Sequence, residues 1–329
     1  MRDLEMLHGA MRLVNINAGL RSSERALIVC DTENIDIAKV LAYAVKSTGA
    51  EYSIAIMEPR TTHGENPTDA IAKAMLGADV IFAPTKYSLS HSEARIAANE
   101  HGARFISMPD YTRDMMKGGA LDADFLEIYQ NRVKPLQSIL TEAKNIHITT
   151  KAGTDMYLSA EGRLGNEVSG VCRTEGTWGS PPNIEVNVSP VEQKTHGTII
   201  VDGSIPMPEI GVLAEPIILT VQQGKIIEAK GGKNAETFCH LLKKEENPNN
   251  VIVGEFGIGL NDHAHLKGSM LEDEGAYGTC HFGIGHNADA GGQNHASVHI
   301  DCVFCRATVE IDNRKIIQDG KLVEGFFEH

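Results

Sequence analysis

Aromatic residues are scarce in this chain, 5% of 329 positions, with a single tryptophan, Trp178. Basic residues are outnumbered, 30 lysines and arginines against 44 aspartates and glutamates, for a formal net charge of −14. That balance argues against nucleic acid or an anionic membrane as the main partner, since both are polyanions. No apolar run approaches the roughly 18 residues that span a bilayer. The opening segment mixes charges with apolar residues and does not read as a secretory signal. Six cysteines are too few for a disulfide framework at this length. Cys302 and Cys305 lie three apart in a β-type run, so they face opposite sides and do not share a metal. The cysteines are expected to be small buried hydrophobes in a reducing cytoplasm. Phosphate loops are missing as well. The turn after the first apolar run is CDTEN, with neither GxGxxG nor GxxxxGKS/T, and no GxSxG elbow marks a serine hydrolase.

What is present is enough apolar material, 42% of residues, for a substantial core. A helix is expected over 4–16, where Leu4, Leu7, Met11 and Val14 share a face. Short apolar strands then alternate with helices: strands at 26–30, 52–57, 79–84 and 104–109, helices at 35–48, 67–76 and 90–100. That alternation predicts βαβ units around a parallel sheet. A longer helix over about 122–144 and a strand at 147–150 follow. Beyond that, glycine becomes frequent and β-type runs replace helices, apart from one helix at 235–244. The expected fold is an α/β N-terminal domain with a parallel sheet, 1–144, and a β-rich α+β catalytic domain, 145–329.

Six of the fourteen histidines fall between Val253 and Cys302, among glycines and carboxylates. Imidazole with carboxylate is the donor set of divalent transition metals, and glycine lets backbone crowd around such a site. His299 and Asp301 in SVHIDCVF are two apart in a strand, so both side chains reach one side. Taken alone, the pair reads equally as solvated residues at a strand end. Glu255 sits in the apolar strand VIVGEFGIG, where a lone carboxylate is costly to bury and a metal or a salt bridge would relieve it. His281 lies in the similar run GTCHFGIG, and Glu274 seven residues earlier in a glycine-rich turn. Glu185 in PPNIEVNVSP is a further candidate ligand. His263, His265, His286 and His295 fall on loops and read singly as surface residues.

These positions resemble the metal-dependent aminopeptidases of the T and S type, and the related dihydroxypyridine dioxygenases. SSERALIVCD resembles their first strand, AGTDMYLSAEG the opening of their second domain, and QGKIIEAKG a shared hairpin. The aminopeptidase pattern of ligands matches Glu185, Glu255, Glu274, His281, His299 and Asp301 in order. The resemblance implies two divalent ions, zinc, cobalt or manganese, with Glu255 bridging them and a metal-activated water attacking a peptide near its N-terminus. Glu185, Glu255 and the loop histidine His286 are then the catalytic candidates, His286 as a proton carrier. The alternative is a mononuclear iron(II) ring-opening dioxygenase using His299 and Asp301. Those dioxygenases carry a histidine where this chain has Glu255. The aminopeptidases carry a longer loop after His281 and a tyrosine in it; here His286, Asn287 and Ala288 stand in that region. A peptide or small-molecule substrate and a homodimer are also implied.

Overall fold

The computed structural model describes residues 2–323. The chain divides into two compact units, Met1–Leu126 with Ser169–Pro182, and Glu127–Val168 with Asn183–His329. The first holds a five-stranded sheet in the order β2 (Glu51–Met57), β1 (Arg25–Asp31), β3 (Val80–Thr85), β4 (Arg104–Pro109), β8 (Trp178–Gly179). Every pairing in it is parallel. The expected helices are α1 (Arg2–Arg12), α2 (Ile35–Thr48), α3 (Asp69–Met75) and α4 (Glu93–Glu100). β1, β3 and β4 are buried nearly throughout, which is why they read as continuous apolar runs. α2 buries a stripe that includes Ile37, Leu41, Ala44 and Val45, and Gly49 ends it at φ 86°, a left-handed conformation that favours glycine. Ser92 caps α4 by accepting the Arg95 N–H.

The second unit holds two antiparallel sheets. One has eight strands in the order β14 (Lys225–Lys230), β13 (Ile217–Gln222), β10 (His196–Val201), β6 (Asp155–Ser159), β5 (Asn145–Thr149), β18 (Thr308–Ile311), β19 (Arg314–Gln318), β20 (Lys321–Leu322). The other has seven, in the order β12 (Gly211–Val212), β11 (Ser204–Ile205), β17 (His299–Cys305), β16 (Thr279–Gly285), β15 (Val253–Gly259), β9 (Glu185–Val188), β7 (Gly165–Val168). The architecture is the expected one, a parallel sheet with helices followed by β-rich antiparallel sheets.

Two expectations are corrected in detail. The helix read over 122–144 spans 125–142 and is not regular: α5 (Phe125–Ile128) passes into a π-helical stretch, Tyr129–Val133, and then into α6 (Lys134–Glu142). The boundary at 144/145 also differs from the observed division. Residues 127–144 belong with the second unit, because α6 packs on β7 and β9 and Gln137 donates to the Gly165 carbonyl at 2.9 Å. Residues 169–182 return to the first unit, where Trp178–Gly179 extends the parallel sheet beside β4. A two-residue strand leaves no periodicity to read.

Four of the six cysteines, Cys30, Cys172, Cys280 and Cys302, are buried as expected, while Cys239 and Cys305 are only half-buried; all are free thiols. Among the described residues, no helix is long and apolar enough to cross a membrane. The expected helix near 235–244 is α7 (Gly232–Lys243).

Candidate metal centre

β15, β16 and β17 lie side by side, and their registers explain the spelling GEFGIG and HFGIG. Glu255 pairs with Gly283, and Gly283 with Asp301; Gly257 pairs with His281; Gly285 pairs with His299. On β9, Glu185 pairs with Gly259 and Asn187 with Gly257. Alternation therefore sends Glu185, Glu255, His281, His299 and Asp301, with the intervening glycines, to one face. Phe256, Phe282 and Phe304 go to the other, where neighbouring rings lie 5.4 Å apart between centroids, Phe256 tilted against Phe282 and Phe282 stacked on Phe304. Such pairs contribute about 0.5–1.5 kcal/mol each beyond their burial, which makes a firm floor. The glycines are required by space. A Cβ on Gly257 would lie 2.1 Å from the His281 ring, and one on Gly283 would lie 2.7 Å from the His299 ring. The register shift between Val253 and Glu255 falls beside the site, where bulges commonly re-aim a side chain.

The donors converge. His281 Nε2 is 3.4 Å from Glu255 Oε1 and 3.7 Å from Glu185 Oε2. His299 Nε2 is 3.6 Å from Glu255 Oε2 and 3.3 Å from Asp301 Oδ1. Glu255 thus turns one oxygen to each imidazole. Donor atoms of Glu185, Glu255 and His281 all lie within 4.8 Å of one another. Glu274 faces Asp301. It lies in a turn, as expected, directly after a short helix, α8 (Met270–Asp273). Asp273 folds the preceding segment by accepting the N–H groups of Lys267 and Gly268 at 2.7 and 2.9 Å. Glu272 is held away by Lys267 Nζ at 2.9 Å. Three consecutive acids therefore do three different jobs.

Electrostatically the cluster lacks positive charge. Burial pushes Glu274 well above the usual carboxylate range, and Asp301 and Glu185 push it further. Burial also raises Glu185, against the pull of His281. Burial alone would lower both histidines, but the carboxylates overcome it and hold His281 at about 9 and His299 at about 10. Burial works upward on Asp301 too, yet His299 keeps it below the usual range. Glu185 Oε2, Glu274 Oε1, His281 Nδ1 and Asp301 Oδ1 are buried without a hydrogen-bond partner. Unpartnered atoms on three of the four crowded carboxylates and on one of the two imidazoles fit a divalent cation as the missing counter-charge. His299, 36% exposed, is the open side of the cluster.

A loop between β16 and β17 fixes His299. The His286 carbonyl lies 2.7 Å from His299 Nδ1, which places the proton there and leaves Nε2 free to ligate. Asn287 holds that loop: Nδ2 donates to the Gly254 carbonyl and to Glu192 Oε1, both at 3.0 Å, and Oδ1 accepts the Asn294 N–H at 2.7 Å. Glu192 is in turn held by Arg163 at 2.8 Å. The His286 ring turns elsewhere, toward Asp289 at 3.5 Å and His295. It is the carbonyl of this residue, rather than the expected imidazole, that touches a candidate ligand. His263, His265 and His295 are exposed, as their loop positions implied. Sequence reading missed Asn187, which donates to Glu185 Oε1 at 2.9 Å, although its position two residues along the same strand signalled a shared face. Asn287 and Glu192 carried no such signal.

Set against known proteins, residues 8–324 match the family model described as 2,5-dihydroxypyridine 5,6-dioxygenase. The 2,5-dihydroxypyridine 5,6-dioxygenase of Pseudomonas putida is 24% identical over 204 residues, which is 59% of this chain and 58% of that protein. The solved structure of the 2,5-dihydroxypyridine dioxygenase from Pseudomonas putida KT2440 superposes with a TM-score of 0.83 at 18% identity, covering 98% of both chains. Wild-type AmpT from Thermus thermophilus superposes at 0.72 with 15% identity, covering 97% of this chain and 99% of its own. At those identities the superpositions speak for the fold. The family match runs nearly end to end, and the chain belongs to the 2,5-dihydroxypyridine 5,6-dioxygenase family.

Proposed function

We propose that the chain is a metal-dependent dioxygenase that opens a dihydroxylated pyridine or a similar electron-rich ring. The observation that carries this reading is the family match over residues 8–324, joined to a buried donor cluster that fits a divalent ion. It reverses the order of the two readings that the sequence alone favoured, in which peptide hydrolysis came first. Glu185, Glu255 and His281, whose donor atoms lie together, would hold an iron(II) ion with His299 and Asp301 beside them. The chemistry iron(II) supplies to such a ligand set is activation of dioxygen beside a ligated substrate. The protein's own part is to orient and enclose. The Phe256–Phe282–Phe304 floor excludes water from below, and the exposed edge of His299 marks the side of substrate approach. The His286 carbonyl keeps the His299 proton on Nδ1.

A second reading, a two-metal aminopeptidase, is favoured by one observation: Glu255 directs Oε1 to His281 and Oε2 to His299, as a bridging carboxylate would. Glutamate at this position is also the departure from the dioxygenase pattern noted in the sequence. Metal counting on protein purified without chelator separates the two, combined with oxygen uptake on 2,5-dihydroxypyridine and hydrolysis of aminoacyl-anilides. One iron per chain with oxygen consumed supports ring opening. Two ions with amide hydrolysis support the second reading. If Glu255→Ala keeps full metal content and turnover, the assigned site is wrong under either.

A further inference from the structure

In strand order β17 and β9 bracket the donors, with β16 and β15 between them. The loop over residues 286–298 joins the neighbours β16 and β17, yet it also reaches the opposite side of the cluster. There the Ala290 carbonyl accepts Asn166 Nδ2 at 3.0 Å and the Ser189 hydroxyl at 3.1 Å. Arg163 holds the next carbonyl, that of Gly291, at 2.6 Å. Asn166 lies on β7, directly opposite Asn187 on β9. Its Nδ2 donates to Asn187 Oδ1 at 3.0 Å, and Asn187 Nδ2 donates to Glu185 Oε1 at 2.9 Å. A loop carbonyl, two carboxamides and a candidate ligand therefore stand in line.

The direction of this line is decided at its backbone end. A carboxamide can turn either end to a neighbour, but a peptide carbonyl only accepts. Ala290 thus holds Asn166 with its amide forward. Asn166 then takes the oxygen of Asn187, whose own amide is left facing Glu185. Reversing either carboxamide would set acceptor against acceptor, which costs the desolvation of groups left unpaired. The outcome at the carboxylate is selective. Oε1 is engaged, while Oε2, 3.7 Å from His281 Nε2, has no hydrogen-bond partner.

We propose that Asn166 is a positioning residue of this centre, with the donor cluster read as the metal site of the proposed dioxygenase. Through Asn187 it ties Glu185 to the same loop whose His286 carbonyl orients His299. One loop then sets the donors on both outer strands, and Glu185 keeps Oε2 for the ion.

Manganese titration of chelator-treated protein tests this without any turnover, and unfolding of the metal-free chain checks that each variant folds. Wild type is expected to bind an ion that Glu255→Ala loses. Asn187→Ala should weaken binding about 10- to 100-fold, the range for groups that orient a ligand. Asn166→Ala should weaken it about 10-fold. Added to a chain that already carries Asn187→Ala, it should cost no more than about twofold, because the line is already cut. Asn166→Asp separates orientation from packing. It keeps the size of the side chain and adds negative charge, so packing and simple attraction both predict wild-type affinity or tighter. A carboxylate can only accept, however, and would turn the Asn187 amide away from Glu185. Binding should therefore be weaker than in Asn166→Ala. Wild-type affinity in Asn166→Asp, or full additivity of the two alanine changes, overturns the role of Asn166 while leaving the metal centre in place. A wild-type chain that binds no divalent ion overturns the centre, and the role of Asn166 with it.

Discussion

In the first unit the Arg104 guanidinium, 3% exposed, meets Glu24 Oε2 at 2.6 Å and the Ala18 carbonyl at 2.6 Å. Glu24 also takes the Arg21 N–H at 2.7 Å and the Arg21 side chain at 2.9 Å. In the second unit four carboxylates share two imidazoles, and four of the group's atoms have no hydrogen-bond partner. Both clusters are buried charge, yet one satisfies its charged groups within the chain and the other leaves several without a partner, as a divalent-ion site would. Burial works upward on Glu24, but its bonds to Arg21 and Arg104 win and leave it below the usual carboxylate range. In the second cluster burial prevails on Glu274 and Glu185. An ion pair that stabilises a fold satisfies its partners; a cluster fitted to a cation leaves acceptors spare.

Four measurements would break or sharpen that contrast. The largest effect is expected from Glu24→Gln, which strands a buried guanidinium. Urea unfolding should show about 3–5 kcal/mol of lost stability with metal content per folded chain unchanged. Next, Asn287→Ala should release the loop that positions the His286 carbonyl against His299. Metal affinity, followed by titration with manganese or zinc, should fall about 10- to 100-fold, in the range seen when groups that orient a ligand are removed. Asn294→Ala, which spares the bond to Gly254, should fall less.

Third comes pH, read on chelator-treated protein. His281 and His299 sit at about 9 and about 10 when folded, against about 6.5 for an unfolded histidine. The folded chain therefore binds more protons across that interval. The stability these groups contribute is full below about pH 6.5 and is lost as pH rises through 9 to 10. The raised Glu185 and Glu274 act in the same direction. A fall in melting temperature of roughly 5 °C between neutral and alkaline pH is expected, shrinking when a divalent ion is supplied. A flat profile in metal-free protein would remove the charge imbalance from the account. The smallest effect has the opposite sign to the first. Glu274→Gln should stabilise the metal-free chain by about 1 kcal/mol by relieving repulsion, while lowering metal affinity. If it destabilises instead, the second cluster is structural like the first.

Much of this was legible beforehand, and the reasons are local. β1, β3 and β4 announced themselves because a strand buried on both faces is an unbroken apolar run. His299 and Asp301 could be placed together because a strand repeats every two residues, and Glu255 because an acid among apolar neighbours asks for a partner. What stayed hidden depended on contacts distant in sequence. Nothing near Glu192 says that it will meet Asn287, 95 positions later. Nothing in a two-residue strand at Trp178 says which sheet it will join. His286 misled for a different reason: residue type points to side-chain chemistry, and here the peptide carbonyl carries the contact.

The glycines between the ligands have one more consequence. At Gly257 and Gly283 the site is specified by what is missing, since a single methyl group there would meet an imidazole ring before it met any ion. Donor residues have substitutes: a histidine can take the place of a glutamate, and a different ion then suits the set. Empty volume has none. Across a lineage in which the ligands drift and the chemistry changes with them, these two positions are the ones that should stay still, and they make a better signature of the centre than the residues that bind.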